Sequence, residues 1–196
     1  MLSFVPTSSS SILELGCGSG AFGGHMARRG KEVWGVEVNR TAAAVAESKL
    51  TRVVVGDLSQ VMPDIPDNYF DCIVANDVLE HVARPIEILT GYSRKLKQCG
   101  CIVASIPNVR FFPVVYNLAV KGEWDYKDSG VLDRTHLAFY TRKSILSLFE
   151  AAGFTVKVIQ GINAFLLPKH PITDMVCRIV APEMRYLQFA CVAEPN

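Results

Sequence analysis

Three glycines alternate in Glu14-Leu-Gly16-Cys-Gly18-Ser-Gly20, following a carboxylate and the apolar run Ile12–Leu15. Glycine tolerates positive φ and lets a ligand approach the backbone closely, so Gly16, Gly18 and Gly20 suit a strand-to-helix turn that cradles a small molecule. A tight turn that only needs small residues for packing would use the same spacing. Gly18, Gly20 and Gly23 also satisfy GxGxxG, the dinucleotide fingerprint. Glu14 separates the ligand readings, because a pyrophosphate would be repelled by it, whereas a cationic amino-acid group or an ordering hydrogen bond would use it. Glu37, closing the next β-branched run, can accept from both hydroxyls of a ribose and fits either ligand.

A second group of reactive side chains is Asp77-Val-Leu-Glu80-His81, and a third is Asp128-Ser-Gly-Val-Leu-Asp133-Arg134-Thr-His136. If an acceptor hydroxyl reacts here, a base must take its proton as attack proceeds, and imidazole titrates in the useful range. His136 and His81 are the candidate bases, with Asp133 as the carboxylate alternative. His136 is favoured, since a loop can close over an acceptor. His81 could instead be a helix-start residue bonded to backbone, and Asp133 with Arg134 could be a pair that ties the loop down.

The elements that must position these groups follow from the pattern. Ile12–Leu15, Val33–Val38, Arg52–Val55, Tyr69–Ala75 and Cys101–Ile106 read as strands. Ala21–Arg29, Thr41–Lys49 and Pro85–Lys97 read as the helices between them. Strands separated by helices pair in parallel with right-handed crossovers, giving an α/β, Rossmann-like doubly wound sheet with helices on both faces. Ligands of such sheets bind beyond the carboxyl ends of the strands. Residues 107–141 break the pattern and read as an insert over the acceptor site. A helix at Arg142–Ala152, a strand at Phe154–Ile159 and an antiparallel last strand at Leu187–Ala193 complete the expectation. Phe165–Met184 offers no recognisable chemistry.

With 196 residues, 49% of them apolar, the chain has the size of one domain able to bury a core. A formal charge of +1 supplies no field for phosphate backbones, so nucleic acid is not an expected partner. Six cysteines without a CxxC pair read as thiols of a reducing compartment, and the first residues lack the basic and apolar regions of a secretory leader. The cytoplasm is the expected location. No apolar run reaches the ~20 residues that span a bilayer. Val109–Val120, aromatic and apolar, is expected to pack the insert, with an acceptor pocket or a homodimer face as alternatives.

The sequence resembles the class I S-adenosylmethionine-dependent methyltransferases in four ordered places. Glu14-Leu-Gly-Cys-Gly-Ser-Gly20 resembles their first motif, and Gly56-Asp57 their adenine-contacting acidic position. Phe70-Asp-Cys-Ile-Val-Ala-Asn-Asp-Val-Leu-Glu-His-Val82 and Cys99-Gly-Cys-Ile-Val-Ala-Ser-Ile-Pro-Asn108 resemble their fourth and fifth strands. The resemblance implies that S-adenosylmethionine is the cofactor, that Glu14, Gly16, Gly18 and Gly20 shape its pocket and that Glu37 binds the ribose. It further implies that Asp57 accepts from the adenine amino group, Leu58 lines the ring and Asn76 lies near the methionine moiety. One departure is that the family usually carries a helix before its first strand, whereas about eleven residues precede it here.

The acidic-x-x-Glu-His arrangement is similar to that of ubiquinone-biosynthesis O-methyltransferases and small-RNA 2′-O-methyltransferases, where it can hold a divalent cation. Here Asp77 fills the first position, and no metal is expected. Ile106-Pro-Asn-Val-Arg110 and Thr141-Arg-Lys, with the Asp133–His136 loop, resemble a bacterial type 11/12 subgroup associated with surface polysaccharide. The resemblance thus implies O-methylation of a small-molecule or sugar-linked acceptor. The rivals are an NAD-type oxidoreductase, supported by GxGxxG, and a non-catalytic S-adenosylmethionine-binding protein.

Overall fold

Strand Ser11–Leu15 (β1) is buried along its whole length, as a strand covered on both faces must be. The computed structural model describes residues 1–164 and 181–196 and places β1 centrally. Around it lie Glu32–Glu37 (β2), Arg52–Val55 (β3), Phe70–Asn76 (β4) and Leu96–Pro107 (β5), all parallel where they pair. Phe154–Ala164 (β6) and Tyr186–Pro195 (β7) complete the order β3-β2-β1-β4-β5-β7-β6, with β7 antiparallel to both neighbours. The expected doubly wound sheet with an antiparallel last strand is what forms. Most of Phe165–Met184 lies outside the described residues.

Helices start and stop where local chemistry directs. Ala21–Ala27 (α1) follows the glycine turn. Asn39 caps Arg40–Ala46 (α2), its Oδ1 accepting from the Thr41 and Ala42 amides. Pro85 occupies the first turn of Pro85–Ser93 (α3), and Thr141 with Ser144 forms a capping box on Arg142–Ala151 (α5). The third helix was expected to reach Lys97. It stops at Ser93 because the Arg94 and Lys95 carbonyls accept from the Asn68, Tyr69 and Phe70 amides, which starts β5 early.

Two apolar layers pack the sheet. On one face α3 and α5 bury Leu89, Tyr92, Ile145 and Phe149 against β4 and β5. On the other, Met26 of α1 and Ala46 of α2 meet Ile12, Val33, Cys72 and Val103. Four of the described cysteines (17, 72, 101 and 191) are buried and Cys99 is exposed. The residues before β1 hold only a single helical turn, Leu2–Phe4.

The insert begins with Phe112–Tyr116 (α4) and a wider turn at Asn117–Lys121, then runs irregularly to Tyr140. Asn108 is fully buried, and its side-chain amide donates to the Glu183 and Tyr186 carbonyls at 2.9 Å each, fastening the insert to the start of β7. At its far end the Leu137 and Ala138 amides donate to the Glu80 carbonyl. Among the described residues no helix is long and apolar enough to cross a membrane.

Candidate active site

The glycine turn leaves β1 with Gly16, Gly18 and Gly20 all at positive φ. At Gly18 a Cβ would meet no atom within 4 Å, so backbone conformation and an open ligand face, not packing, call for glycine. Glu37 ends β2 beneath the turn. Its Oε2 accepts from the Gly18 amide at 2.8 Å and its Oε1 from the Asn39 amide at 2.8 Å. Two such bonds leave lone pairs on both oxygens for the hydroxyls of a ribose.

Beside Glu37 opens a cavity of about 360 Å³, walled also by Gly16, Asp57, Leu58, Asp77 and His81. Asp57 Oδ1 accepts from the Ser59 amide and hydroxyl, which holds its carboxyl below the usual range. Among the described residues lining this cavity, three are carboxylates and none is lysine or arginine. Such a wall suits a cationic ligand and opposes a pyrophosphate. The residues therefore fit S-adenosylmethionine.

Glu14 lies elsewhere than on that wall. It is 3% exposed under the turn, and its Oε2 accepts from the Gly23 amide at 3.0 Å. Burial pushes its carboxyl up to about 8. Of the two roles expected, the structure shows the ordering hydrogen bond: Glu14 supports the first turn of α1. Gly23 is required for this contact, since a Cβ there would stand 2.6 Å from Glu14 Oε2.

Asn76, the last residue of β4, faces an adjoining polar cavity of about 650 Å³ together with Ser105, Gln160, Asn163 and Gln188. Among the described residues its buried Oδ1 has no hydrogen-bond partner, which leaves an acceptor open to a polar ligand.

Past β4 the chain makes a single turn at Leu79–His81 and delivers Glu80 and His81 to a third cavity of about 190 Å³, which the insert closes with Asp133 and His136. The two histidines, expected as alternatives, are neighbours with ring centroids 4.7 Å apart. His136 Nδ1 lies 3.0 Å from the Val131 carbonyl, which can only accept, so the neutral ring carries its proton there and Nε2 is left as a base. His81 Nδ1 sits 3.2 Å from the Thr135 carbonyl and donates in the same way. His81 is indeed bonded to backbone, as its alternative reading had it, yet still lines both this cavity and the one beside Glu37.

Asp133 is a poor base in this setting. Its Oδ1 accepts from the Thr135 amide and hydroxyl, bonds that hold its carboxyl below the usual range. Nor does it pair with Arg134, whose partner is Asp128 at 2.7 Å. Glu80 is the group sequence reasoning underrated. It is 1% exposed, neither carboxyl oxygen has a hydrogen-bond partner, and burial pushes it up to about 8. One ligating atom from each of Glu80, His81 and His136 lies within 4.8 Å of the others, a carboxylate and two imidazoles that could hold a divalent cation. Gln188 and Ser105, which close the site from β7 and β5, carry no sequence signal beyond being polar residues in apolar strands.

Comparison with known proteins agrees with this geometry. Residues 2–158 match the family model described as a methyltransferase domain. The chain is similar to the ubiquinone biosynthesis O-methyltransferase of Aeromonas salmonicida, 28% identical over 185 residues covering 88% of this chain and 76% of that one. The protein of the same name from Pseudomonas aeruginosa (strain LESB58) is 31% identical over 166 residues, covering 81% and 70%. Among solved structures, a SAM-dependent methyltransferase from Archaeoglobus fulgidus superposes with a TM-score of 0.69 at 22% identity over 95% of this chain and 86% of that one. One from Thermotoga maritima superposes with a TM-score of 0.70 at 18% identity, over 100% and 86%. At such identities the structural likeness speaks for the fold, which leaves the family model to carry the assignment. Spanning most of the chain and both carboxylate-lined strand ends, it shows that this protein belongs to the methyltransferase-domain family, as a class I S-adenosylmethionine-dependent enzyme.

Proposed function

We propose that the chain methylates a hydroxyl of a small-molecule acceptor, with His136 taking the hydroxyl proton. The observation that carries this reading is the wall shared by two cavities. Asp77 and His81 line both the cavity beside Glu37 and the one holding His136 and Glu80. A donor in the first therefore faces an acceptor in the second. S-adenosylmethionine supplies an electrophilic methyl on a sulfonium, and the protein's task is alignment, which can account for roughly 7–11 kcal/mol of barrier.

Glu37, Asp57, Leu58 and Asn76 would hold the donor's ribose, adenine and methionine parts. His136 Nε2 accepts the acceptor's proton, and the Glu80 carboxyl, 3.9 Å away, lies close enough to favour the imidazolium so formed. Asp133 positions Thr135, and through it His81. That the curated relatives named above are O-methyltransferases supports oxygen as the atom methylated. The polar lining of the acceptor cavity by Asp133, His136 and Gln188 is compatible with a hydroxyl-rich acceptor, sugar-linked ones included.

A specific observation favours a second form of this reading. Glu80, His81 and His136 converge closely enough to bind a divalent cation, which would then orient the acceptor oxygen. The test is transfer of labelled methyl to panels of catechols and of glycosides, with and without added magnesium or zinc. Absence of transfer to any hydroxyl compound, alongside firm S-adenosylhomocysteine binding, would remove the O-methylation reading.

A further inference from the structure

Asp77 stands where three cavities meet. Among the described residues it alone lines the cavity beside Glu37, the polar cavity beside Asn76 and the histidine cavity. It holds this place in a left-handed backbone conformation, φ +52°, which costs a non-glycine residue energy that the surrounding structure must supply. Its carboxylate is pinned from two strands. Oδ1 accepts from Ser105 Oγ of β5 at 3.0 Å and from Gln188 Nε2 of β7 at 2.7 Å, and Gln188 is in turn held by Asn163 Nδ2 of β6 at 2.7 Å. The backbone amide of Asp77 donates to the Ser105 carbonyl. No lysine or arginine among the described residues lines any of the three cavities.

Methyl transfer moves a positive charge across this point. The carbon–sulfur bond breaks and its electron pair stays on sulfur, an acceptor oxygen lone pair forms the new bond to carbon, and the oxygen's proton passes to His136 Nε2. Before the step the cation is a sulfonium, and after it the cation is an imidazolium while the spent donor is a neutral thioether. A carboxylate fixed at the junction attracts the cation in both places and gives the neutral thioether no such hold. We propose that Asp77 is the charge-reading residue of the donor site, favouring a ligand with a cation at the sulfur position over the neutral spent donor and so promoting exchange of product for fresh donor. This rests on the donor placement proposed above.

Two ligands read the charge without needing an acceptor: S-adenosylhomocysteine, neutral at sulfur, and sinefungin, which carries a protonated amine where the methyl-sulfonium would be. The variants are Asp77→Asn, which keeps the accepting oxygen and tolerates positive φ, and Asp77→Gly, which takes φ +52° without strain. By calorimetric titration the wild type should bind sinefungin roughly tenfold or more tightly than S-adenosylhomocysteine, as one charge at short range would give. Both variants should lose that margin, whatever they cost S-adenosylhomocysteine binding itself. Equal affinities in the wild type, a margin that survives in either folded variant, or equal weakening of both ligands would overturn the role. Failure of the wild type to bind either compound would overturn the donor site itself, a distinct result.

Discussion

Glu80 Oε1 lies 3.9 Å from His136 Nε2, both side chains buried, with no hydrogen bond to either carboxyl oxygen. The pair is close enough for the carboxyl to favour a positive charge on the ring, which is what a base needs at its side when it turns cationic during turnover. General-base help typically amounts to about 10²–10⁴-fold, so His136→Ala should lower turnover by that order while leaving S-adenosylhomocysteine affinity intact. Substituting His81 should cost less. Near wild-type turnover in both folded variants would take histidine base catalysis out of the mechanism.

The same cluster predicts a metal response. If Glu80, His81 and His136 bind a divalent cation, zinc or magnesium should raise the melting temperature of the wild type, because a ligand of the native state stabilises it by mass action. The rise should vanish in Glu80→Gln. An identical rise in wild type and Glu80→Gln would locate the ion elsewhere.

Removing Glu37 takes away a support of the turn as well as a ribose contact. Glu37→Ala should weaken S-adenosylhomocysteine binding by about 1.5–3 kcal/mol, the range for hydrogen bonds accepted by a charged group. Calorimetry on the folded variant measures it, and an unchanged dissociation constant would free Glu37 from ribose binding.

Glu14 carries a pH signature. Burial raises its carboxyl from 4.5 to about 8 in the folded protein, so the unfolded chain ionises first. The associated stability is fully present below pH 4.5 and is lost as pH rises towards 8. Thermal denaturation of Glu14→Gln at several pH values should therefore show a shallower decline across that window than the wild type. A parallel decline would mean that Glu14 is ionised in the native protein.

Gly23→Ala places a methyl 2.6 Å from Glu14 Oε2 and must displace it. Losing that buried hydrogen bond should lower stability by about 1–3 kcal/mol, read from chemical denaturation. A stability equal to wild type would show that the carboxyl can move aside freely.

The succession of strands and helices and the donor loop were legible because they rest on local rules. Ile12–Leu15, the glycine turn and Glu37 follow one another within a single β-loop-α-β unit, so periodicity and spacing suffice. The acceptor side is assembled across long separations that no local pattern encodes. His81 meets His136 only because the Leu137 and Ala138 amides dock on the Glu80 carbonyl, and Asp77 meets Gln188 only because β7 lies against β5. For Glu14 the sequence left two roles open for a related reason: two residues from a ligand-binding turn, only the fold shows its side chain lying beneath the turn. The early end of α3 likewise depended on amides from residues 68–70 that a helical pattern cannot see.

The placement of β7 between β5 and β6 sets an order of assembly during synthesis. The donor half of the sheet, β1 to β4, is complete by Asn76. Gln188 arrives about a hundred residues later, and until residues 186–195 slide between two strands already made, Asp77 lacks one of its two anchors. The fixing of Asp77, and with it the wall shared by the donor and histidine cavities, therefore depends on the last strand.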